Sequence, residues 1–336
     1  MRVIVIGAGL GGLALAQGLR QAGIAVVVVE RDAADARPQG VSLHLDERGR
    51  TALRACLPPA HLRMVEATLG GLRAGTRSLS DVDGDLTAGP PQRVDGPGGP
   101  VRPGRMADRP LLRAVLLTGL EDVVRFGVTF TGYEPAGAGV RARFADGSVE
   151  TADLLVGADG VGSTVRKQLL PHVRVVDTGR RMLMGATPLR TAAGLPELIG
   201  DDPATMRVGD TTMVCSVLRF AEPPAAARDR WLPALRSRVV DDAEDYVMWA
   251  LPGRLAADLH PTLQSIVENA WPERTVALRI GAIQGMPALP AGPVTILGDA
   301  VRVGPGFGAN LALQDACRLR DAVVADGRTD LASAGA

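Results

Sequence analysis

The chain has 336 residues, 46% of them hydrophobic, with 37 basic side chains balanced by 37 acidic ones. Such a length can bury a large core in two domains or one elaborated domain, and the even charge excludes a polyanion-binding protein or a basic membrane-surface module. Its 3 cysteines, Cys56, Cys215 and Cys317, show no CxxC and no metal-ligand spacing, which excludes a disulfide framework and predicts a reducing, cytoplasmic setting.

The chain begins with an apolar run, Val3 to Ile6, of the kind a parallel strand buried on both faces requires. Gly7, Gly9 and Gly12 follow at the G-x-G-x-x-G spacing. The first glycine allows a tight turn, the second lets backbone approach a pyrophosphate, and the third lets helix pack on strand. The helix beginning there aims unpaired N–H groups and a positive dipole end at the phosphates. Leu13, Leu15 and Leu19 supply its core face, Gly23 ends it, and Ile24 to Val29 form a second strand. Glu30 closes that strand about 20 residues past the glycines, where a carboxylate accepts hydrogen bonds from ribose hydroxyls. The glycines and Glu30 also separate this segment from a secretory signal peptide, and no other stretch is long and apolar enough to span a bilayer.

Arg31 to Gly40 reads as loop, Gly40 to Leu45 as a strand, and Arg48 to Leu57 as a helix ended by Pro58-Pro59. Glycine and proline crowd Gly70 to Gly104, with a strand or two expected at Gly71 to Val82, an entry into a second domain. Arg109-Pro110 opens a helix through Leu120. Strands are expected at Val123 to Phe130 and Gly139 to Phe144, with Asp146-Gly147 as a type I′ hairpin turn before a return strand from Val149. A second glycine-bearing block runs from Asp153 to Arg166, reading DLLVGADGVGSTVR, a buried strand entering a helix. From Arg174 to Trp271 the pattern turns to alternating strands at Thr211 to Phe220 and Asp245 to Leu251, with helices near Arg228 to Val240 and Thr262 to Trp271. On alternation, Tyr246 and Met248 share one strand face and Val247 and Trp249 the other. Val294 to Ala300, reading VTILGDA, is another buried strand ending in an acid, followed by a glycine-rich loop and a helix from Asn310 to Val324.

The G-x-G-x-x-G with Glu30, the block LLVGADGVGSTVR and the block TILGDA…GAN together resemble the single-component FAD-dependent aromatic hydroxylases, the group A flavoprotein monooxygenases. The resemblance covers most of the chain. It implies an α/β fold in which a Rossmann-type, glutathione-reductase-like FAD-binding domain carries an inserted, mostly antiparallel β-sheet substrate domain. Residues 1–70, 101–173 and 272–330 would form the first and residues 71–100 and 174–271 the second. Non-covalent FAD would be held by Gly7, Gly9, Leu10, Gly11 and Gly12 at the pyrophosphate and by Glu30 and Arg31 at the adenosine ribose. Arg109 would reach the flavin side, Asp159 and Gly160 match the DG pair associated with FAD and NAD(P)H, and Asp299 would bind the ribityl chain. Pro305, Gly308, Ala309 and Asn310 would lie beside the isoalloxazine ring.

The implied activity is hydroxylation of an aromatic or polyketide-like small molecule, with NAD(P)H as reductant and a flavin C4a-hydroperoxide as oxygen donor. A flavoprotein on the same scaffold that inserts no oxygen, a reductase, a dehydrogenase or a cyclase with structural FAD, is the competing reading. The chain departs from the family in having Arg302 where a histidine is usual, in a shorter loop, VRVGPGFGAN, and in stopping at Ala336 where relatives continue into a further helix. The competing structural reading of Asp159 is a strand-end turn residue, and that of Asp299 a helix cap. No catalytic acid or base stands out: His44, one of 4 histidines, and Pro305 are the weak candidates, and the strand position of His44 favours a satisfied structural histidine.

Overall fold

The computed structural model describes residues 1–34, 40–73, 75–96, 99–192, 194–208, 211–252, 259–303 and 308–326. Strand β1 (Arg2–Ile6) leads through the glycine turn into helix α1 (Leu10–Gln21) and strand β2 (Ala25–Val29). Gly23, at φ +74°, turns the chain between them, and the Ile24 N–H reaches back to the Leu19 carbonyl at 3.0 Å. Strand β3 (Ser42–Asp46), helix α2 (Glu47–Cys56) and helix α3 (Pro59–Ala67) follow. Pro58-Pro59 ends α2 as expected, but Pro59 also begins α3, because the ring that forbids a helix interior fits the first turn.

Short strands β4 (Leu72–Arg73), β5 (Arg77–Val82), β6 (Asp85–Ala88), β7 (Asp95–Gly96) and β8 (Gly99–Pro100) occupy the glycine- and proline-rich stretch before β9 (Gly104–Asp108) and helix α4 (Arg109–Leu117). Strand β10 (Val124–Arg125) is far shorter than expected. Beyond it β11 (Phe130–Ala136), β12 (Gly139–Phe144) and β13 (Val149–Ala152) form a meander. Its Asp146-Gly147 corner is not a type I′ turn. Only Gly147 has positive φ, at +84°, and its N–H bonds the Phe144 carbonyl at 3.1 Å. A type I turn with a left-handed glycine after it needs only that one permissive residue.

Next come β14 (Leu154–Gly157), helix α5 (Thr164–Leu169) and the long strand β15 (Val175–Pro188), which is not among the strands expected from the sequence. Gly179 and the bulge between Asp177 and Arg181 interrupt its alternation and hide the period. Helix α6 (Leu195–Ile199), strands β16 (Ala204–Val208) and β17 (Thr211–Leu218), helices α7 (Pro224–Trp231) and α8 (Arg238–Asp241), strand β18 (Tyr246–Pro252), helix α9 (Pro261–Glu268) and strand β19 (Val276–Ile283) continue the chain. The single helix expected near Arg228 to Val240 is thus two, with Pro233 between them. Strand β20 (Val294–Ile296) and helix α10 (Gly308–Asp326) end the described chain.

The first sheet is parallel throughout, in the order β10-β2-β1-β14-β20. Both faces of β1 are buried, so its apolar run divides by period two. Val3 and Val5 meet α1, α4 and α10, while Ile4 and Ile6 meet Phe130, Val140 and Phe144 of the meander. The second sheet has seven strands, β19-β15-β18-β17-β16-β5-β6, antiparallel except where β5 meets β16. Strand β19 lies beyond residue 271 yet pairs with β15, so this sheet draws on residues expected in the FAD-binding half. Conversely, Ala227, Leu232 and Val240 of the 224–241 segment join the core of α3 and α4. A small sheet, β3-β9-β4, stands between the two large ones. There Val41 and Met106 pack against Tyr246 and Leu218.

Candidate functional site

Because the first sheet is parallel, β1, β2, β14 and β20 end on one edge, where an open α/β sheet places its ligands. Gly7, Glu30, Asp159 and Asp299 lie there, just past the ends of those strands. The three sequence blocks are also joined directly. Gly7, at φ +107°, would drive a Cβ to 2.4 Å from the Ala158 carbonyl oxygen, and a Cβ on Gly11 would come 2.8 Å from Leu297 Cδ1. The guanidinium of Arg166 is buried and donates through Nη1 to the Ala300 carbonyl at 3.1 Å and through Nη2 to the Val161 carbonyl at 2.7 Å.

The glycines of the first block divide their work. A Cβ on Gly12 would sit 2.1 Å from the Gly7 carbonyl oxygen, so this position is reserved for helix–strand contact. Gly9, in extended backbone at φ −78°, is the N-cap of α1, and a Cβ there would meet nothing within 4 Å. Space free of protein atoms in front of a helix N-terminus suits an anionic group. Leu10 and Gly11 are buried in packing, whereas the exposed Arg31 makes a surface pair with Asp32 at 3.6 Å.

Glu30 is half-buried, and its Oε2 accepts the Ala8 N–H at 2.8 Å while Oε1 accepts the Asp32 N–H at 3.0 Å. Arg113 Nε donates to the Ala8 carbonyl at 3.0 Å, so the backbone of Ala8, in the middle of the glycine turn, is held through both its N–H and its carbonyl. Sequence reasoning missed Arg113. The signal lay in its spacing, one helical turn after Arg109 on the same side of α4. Burial draws both guanidinium groups below their ordinary range, opposed at Arg109 by Asp299 and at Arg113 by Glu30 and Asp32.

At the other end of the edge, Gly298 has φ +62° and the Asp299 carboxyl is raised by burial, an effect the charge of Arg109 partly offsets. A Cβ on Gly308 would fall 2.8 Å from Asp299 Oδ1, so glycine is what lets the start of α10 approach that carboxylate. Asn310 is fully buried. Its Nδ2 donates to the His44 carbonyl at 2.7 Å and its Oδ1 accepts the Asp46 N–H at 3.1 Å, while Ala309 packs half-buried against the main core. Asp159 Oδ2 accepts the Thr164 N–H at 2.7 Å, as a turn residue at a helix start does, but its buried Oδ1 bonds no described residue. Gly160, at φ +71°, makes the turn into α5.

His44 bonds through both ring nitrogens, Nε2 to the Arg102 carbonyl at 2.9 Å and Nδ1 to Arg73 Nη1 at 3.3 Å. Burial and the Arg73 charge hold it below its ordinary range, which suits a neutral structural ring. Pro305 lies outside the described residues. Arg302 is paired with the Asp315 carboxylate of α10. Among the described residues no group of acids, histidines and cysteines could hold a metal, and no helix is long and apolar enough to cross a membrane.

Empty room at Gly9, a desolvated carboxylate at Asp299 and a buried acceptor at Asp159 Oδ1 fit an extended dinucleotide flavin laid along this edge. The chain matches the FAD binding domain family over residues 1–51 and 102–325. It is 30% identical to a dual O-methyltransferase/FAD-dependent monooxygenase of Phaeosphaeria nodorum, over 94% of this chain but 39% of that one, so it spans about two-fifths of that relative. It is likewise 30% identical to an FAD-dependent monooxygenase of Trichoderma harzianum, over 90% of this chain and 77% of the relative. A solved structure from Photorhabdus luminescens, provisionally assigned as an FAD-containing monooxygenase, superposes with a TM-score of 0.76 at 28% identity, covering 99% of this chain and 91% of that one. With the sheet order, the three joined blocks and these likenesses in agreement, the chain belongs to the family of FAD-dependent monooxygenases that includes the aromatic hydroxylases.

Proposed function

We propose that the protein is an NAD(P)H-dependent FAD monooxygenase that hydroxylates an aromatic or polyketide-like small molecule. The observation that carries this reading is the pair of carboxylates set along one sheet edge, Glu30 after β2 and the desolvated Asp299 after β20, three strands away. When bound, FAD supplies the redox chemistry, accepting hydride from NAD(P)H and delivering one atom of O2 to the substrate. The chain's own residues do the rest. Glu30 accepts from ribose hydroxyls, the N–H groups at the start of α1 face the pyrophosphate, and Asp299 accepts from the ribityl chain. Arg109 and the N-terminus of α10 supply positive potential at the flavin end, which lowers the cost of placing negative charge there.

The substrate is expected against the face of the seven-stranded sheet that carries Met184 and Met248. These half-buried thioethers lie in the cluster that also holds Met106, Phe220 and Trp271. Polarizable, flexible sulfur side chains adapt to a flat aromatic ring without offering it charged partners. Tyr246 belongs to the same cluster, but its hydroxyl donates to Asp108 Oδ2 at 3.0 Å and is engaged in holding the sheets together.

The test is NAD(P)H oxidation by the FAD-bound protein with a panel of phenolic and polyketide compounds, following product mass and hydrogen peroxide. Substrate-stimulated oxidation with a product one oxygen heavier is the expected result. Conversion without oxygen and without NAD(P)H would replace the proposal by a flavoprotein of the same scaffold that inserts no oxygen.

A further inference from the structure

The small sheet β3-β9-β4 turns one face to the seven-stranded sheet. Its register puts Arg73 opposite Gly104 and His44 opposite Met106, so Arg73, His44, Met106 and Asp108 share that face. Met106 packs with Tyr246, Met184 and Met248, and Asp108 Oδ2 accepts the Tyr246 hydroxyl, so this is the side on which the substrate is expected. Strand β4 inverts the usual pattern there. Leu72 is 69% exposed, whereas Arg73 is only 8% exposed.

The fork of Arg73 is held but not neutralised. Nη1 donates to His44 Nδ1 at 3.3 Å, Nη2 reaches the Met106 sulfur at 2.9 Å, and the buried Nε bonds no described residue. Nε and Nη2 form one edge of a guanidinium, and elsewhere in this chain that edge takes a carboxylate. Arg48 gives it to Asp46 at 3.0 and 2.5 Å, and Arg50 gives it to Glu66 at 3.2 and 3.0 Å. At Arg73 the same edge meets a thioether, a weak acceptor. The carboxylates whose charge reaches it are engaged with other arginines, Asp201 with Arg219 at 3.5 Å and Asp202 with Arg77 at 3.3 Å. Burial draws the guanidinium down to about 10, against Tyr246, Asp201 and Asp202, so it stays a cation at neutral pH. A buried cation without a counter-ion opposes folding, and a bound anion relieves that cost.

We propose that Arg73 is the counter-ion of a substrate carboxylate, received by Nε and Nη2 together. The proposal rests on the monooxygenase reading above and narrows its substrate class to aromatic or polyketide-like acids. His44 keeps hold of Nη1 and so fixes the plane of the fork. Met106, unbranched and flexible, gives up Nη2 by changing rotamer. The ring of the acid then lies against Met184 and Met248, with its carboxylate at the small sheet. Arg73 makes and breaks no bond in the substrate; it sets affinity and selectivity. A neutral carboxamide of the same shape brings one acceptor oxygen and turns an NH2 donor toward the fork, so the site rejects it.

Naphthoate, hydroxynaphthoate and anthraquinone carboxylate, each beside its carboxamide, are titrated into the FAD-bound protein at neutral pH and followed through the flavin absorbance. At least one acid should bind about ten-fold or more tighter than its amide. In Arg73→Gln the acid should weaken by about that factor while the amide changes less than about two-fold, and Arg73→Lys, which keeps the charge without the fork, should restore only part of the preference. Thermal unfolding gives a second reading. Arg73→Met removes an uncompensated charge and should unfold no lower than the unaltered protein without ligand, while the acid should raise the unfolding temperature of the unaltered protein and not of this variant. No acid preferred over its amide, a preference that survives Arg73→Gln, or an Arg73→Met protein that is less stable and binds acid and amide alike would overturn the proposal. NAD(P)H oxidation in the same mixtures separates the two readings. Acid preference without oxidation keeps Arg73 as a carboxylate site and removes the monooxygenase, whereas equal hydroxylation of acids and amides does the reverse.

Discussion

Asn310 holds the His44 carbonyl through Nδ2 at 2.7 Å, and its Oδ1 takes the Asp46 N–H at 3.1 Å. One buried amide thereby fixes the beginning of α10 against the end of β3, where Asp46 in turn caps α2 through the Arg48 and Gly49 N–H groups. Gly49 completes the fit, since a Cβ there would fall 2.4 Å from Asn310 Oδ1. Asn310→Ala leaves a buried carbonyl and a buried N–H without partners, each worth about 1–3 kcal/mol. Thermal unfolding should move to lower temperature both with and without FAD. A variant of unchanged stability that only binds FAD more weakly would show that the amide serves the cofactor alone.

Gly9 and Gly12 should separate binding from folding. Gly9→Val puts its side chain into space free of protein atoms, so the fold should persist while FAD affinity disappears. Gly12→Ala forces a Cβ into the Gly7 carbonyl 2.1 Å away and should destabilise the protein even without FAD. Circular dichroism and flavin fluorescence on the two variants decide it. FAD retained by a folded Gly9→Val protein would contradict the proposed pyrophosphate position.

The division between legible and illegible parts of the chain has a physical cause. The β1–α1–β2 unit is set by local requirements, a doubly buried strand, a turn only glycine can make and a carboxylate at the strand end, and each leaves a residue in a fixed place. Asp299 and Gly308 were visible for the same reason. The bonds of Asn310 to β3, of Arg113 to the Ala8 carbonyl and of Arg166 to the Ala300 carbonyl join residues far apart in sequence, and no local pattern announces them. Strand β15 stayed hidden because its bulge breaks the period of two, and β19 because its edge position demands little hydrophobicity.

Asp299→Ala should weaken FAD binding by about 1–3 kcal/mol, the scale of charge-assisted hydrogen bonds. The FAD-free protein should behave differently. Burial raises this carboxyl in the folded state, so its ionisation opposes folding, and stability falls as pH rises from the unfolded value through the raised folded one. Removing it should leave the FAD-free protein unchanged or more stable at neutral pH. Equal destabilisation with and without FAD would assign Asp299 to local structure.

His44 sets an acid limit on stability. Its ring is held below its ordinary value by burial and by Arg73, so the folded state prefers it neutral. Stability from this source is complete above the unfolded value of about 6.5 and declines as pH falls through it. Protonation at Nδ1 would also set a ring N–H against Arg73 Nη1, now a donor at 3.3 Å. Denaturant midpoints taken from roughly pH 7.5 to 5 should fall, and His44→Gln should flatten that slope. An unaltered slope in the variant would place the acid sensitivity elsewhere.

Arg302 shapes the last expectation, incomplete coupling. Its guanidinium is committed to Asp315, whose Oδ2 also accepts the Gly298 N–H at 3.0 Å, so this cation is tied down onto α10. A histidine in its place would have a shorter side chain to offer a flavin. Oxygen transfer needs water kept from the reacting centre, and the loop that follows is short and rich in glycine. With substrate present, NAD(P)H oxidation should therefore yield hydrogen peroxide alongside hydroxylated product. Lengthening the loop with family-like residues should lower the peroxide share. Arg302→Ala brings a separate signature. The Asp315 carboxyl, already raised by burial and held back by Arg302, should rise further, so the variant should lose stability progressively as pH increases above about 4. Peroxide and product are measured in the same reaction, against NAD(P)H consumed. Product formed one-for-one with NAD(P)H by the unaltered protein would show that the short loop excludes water as well as a longer one does.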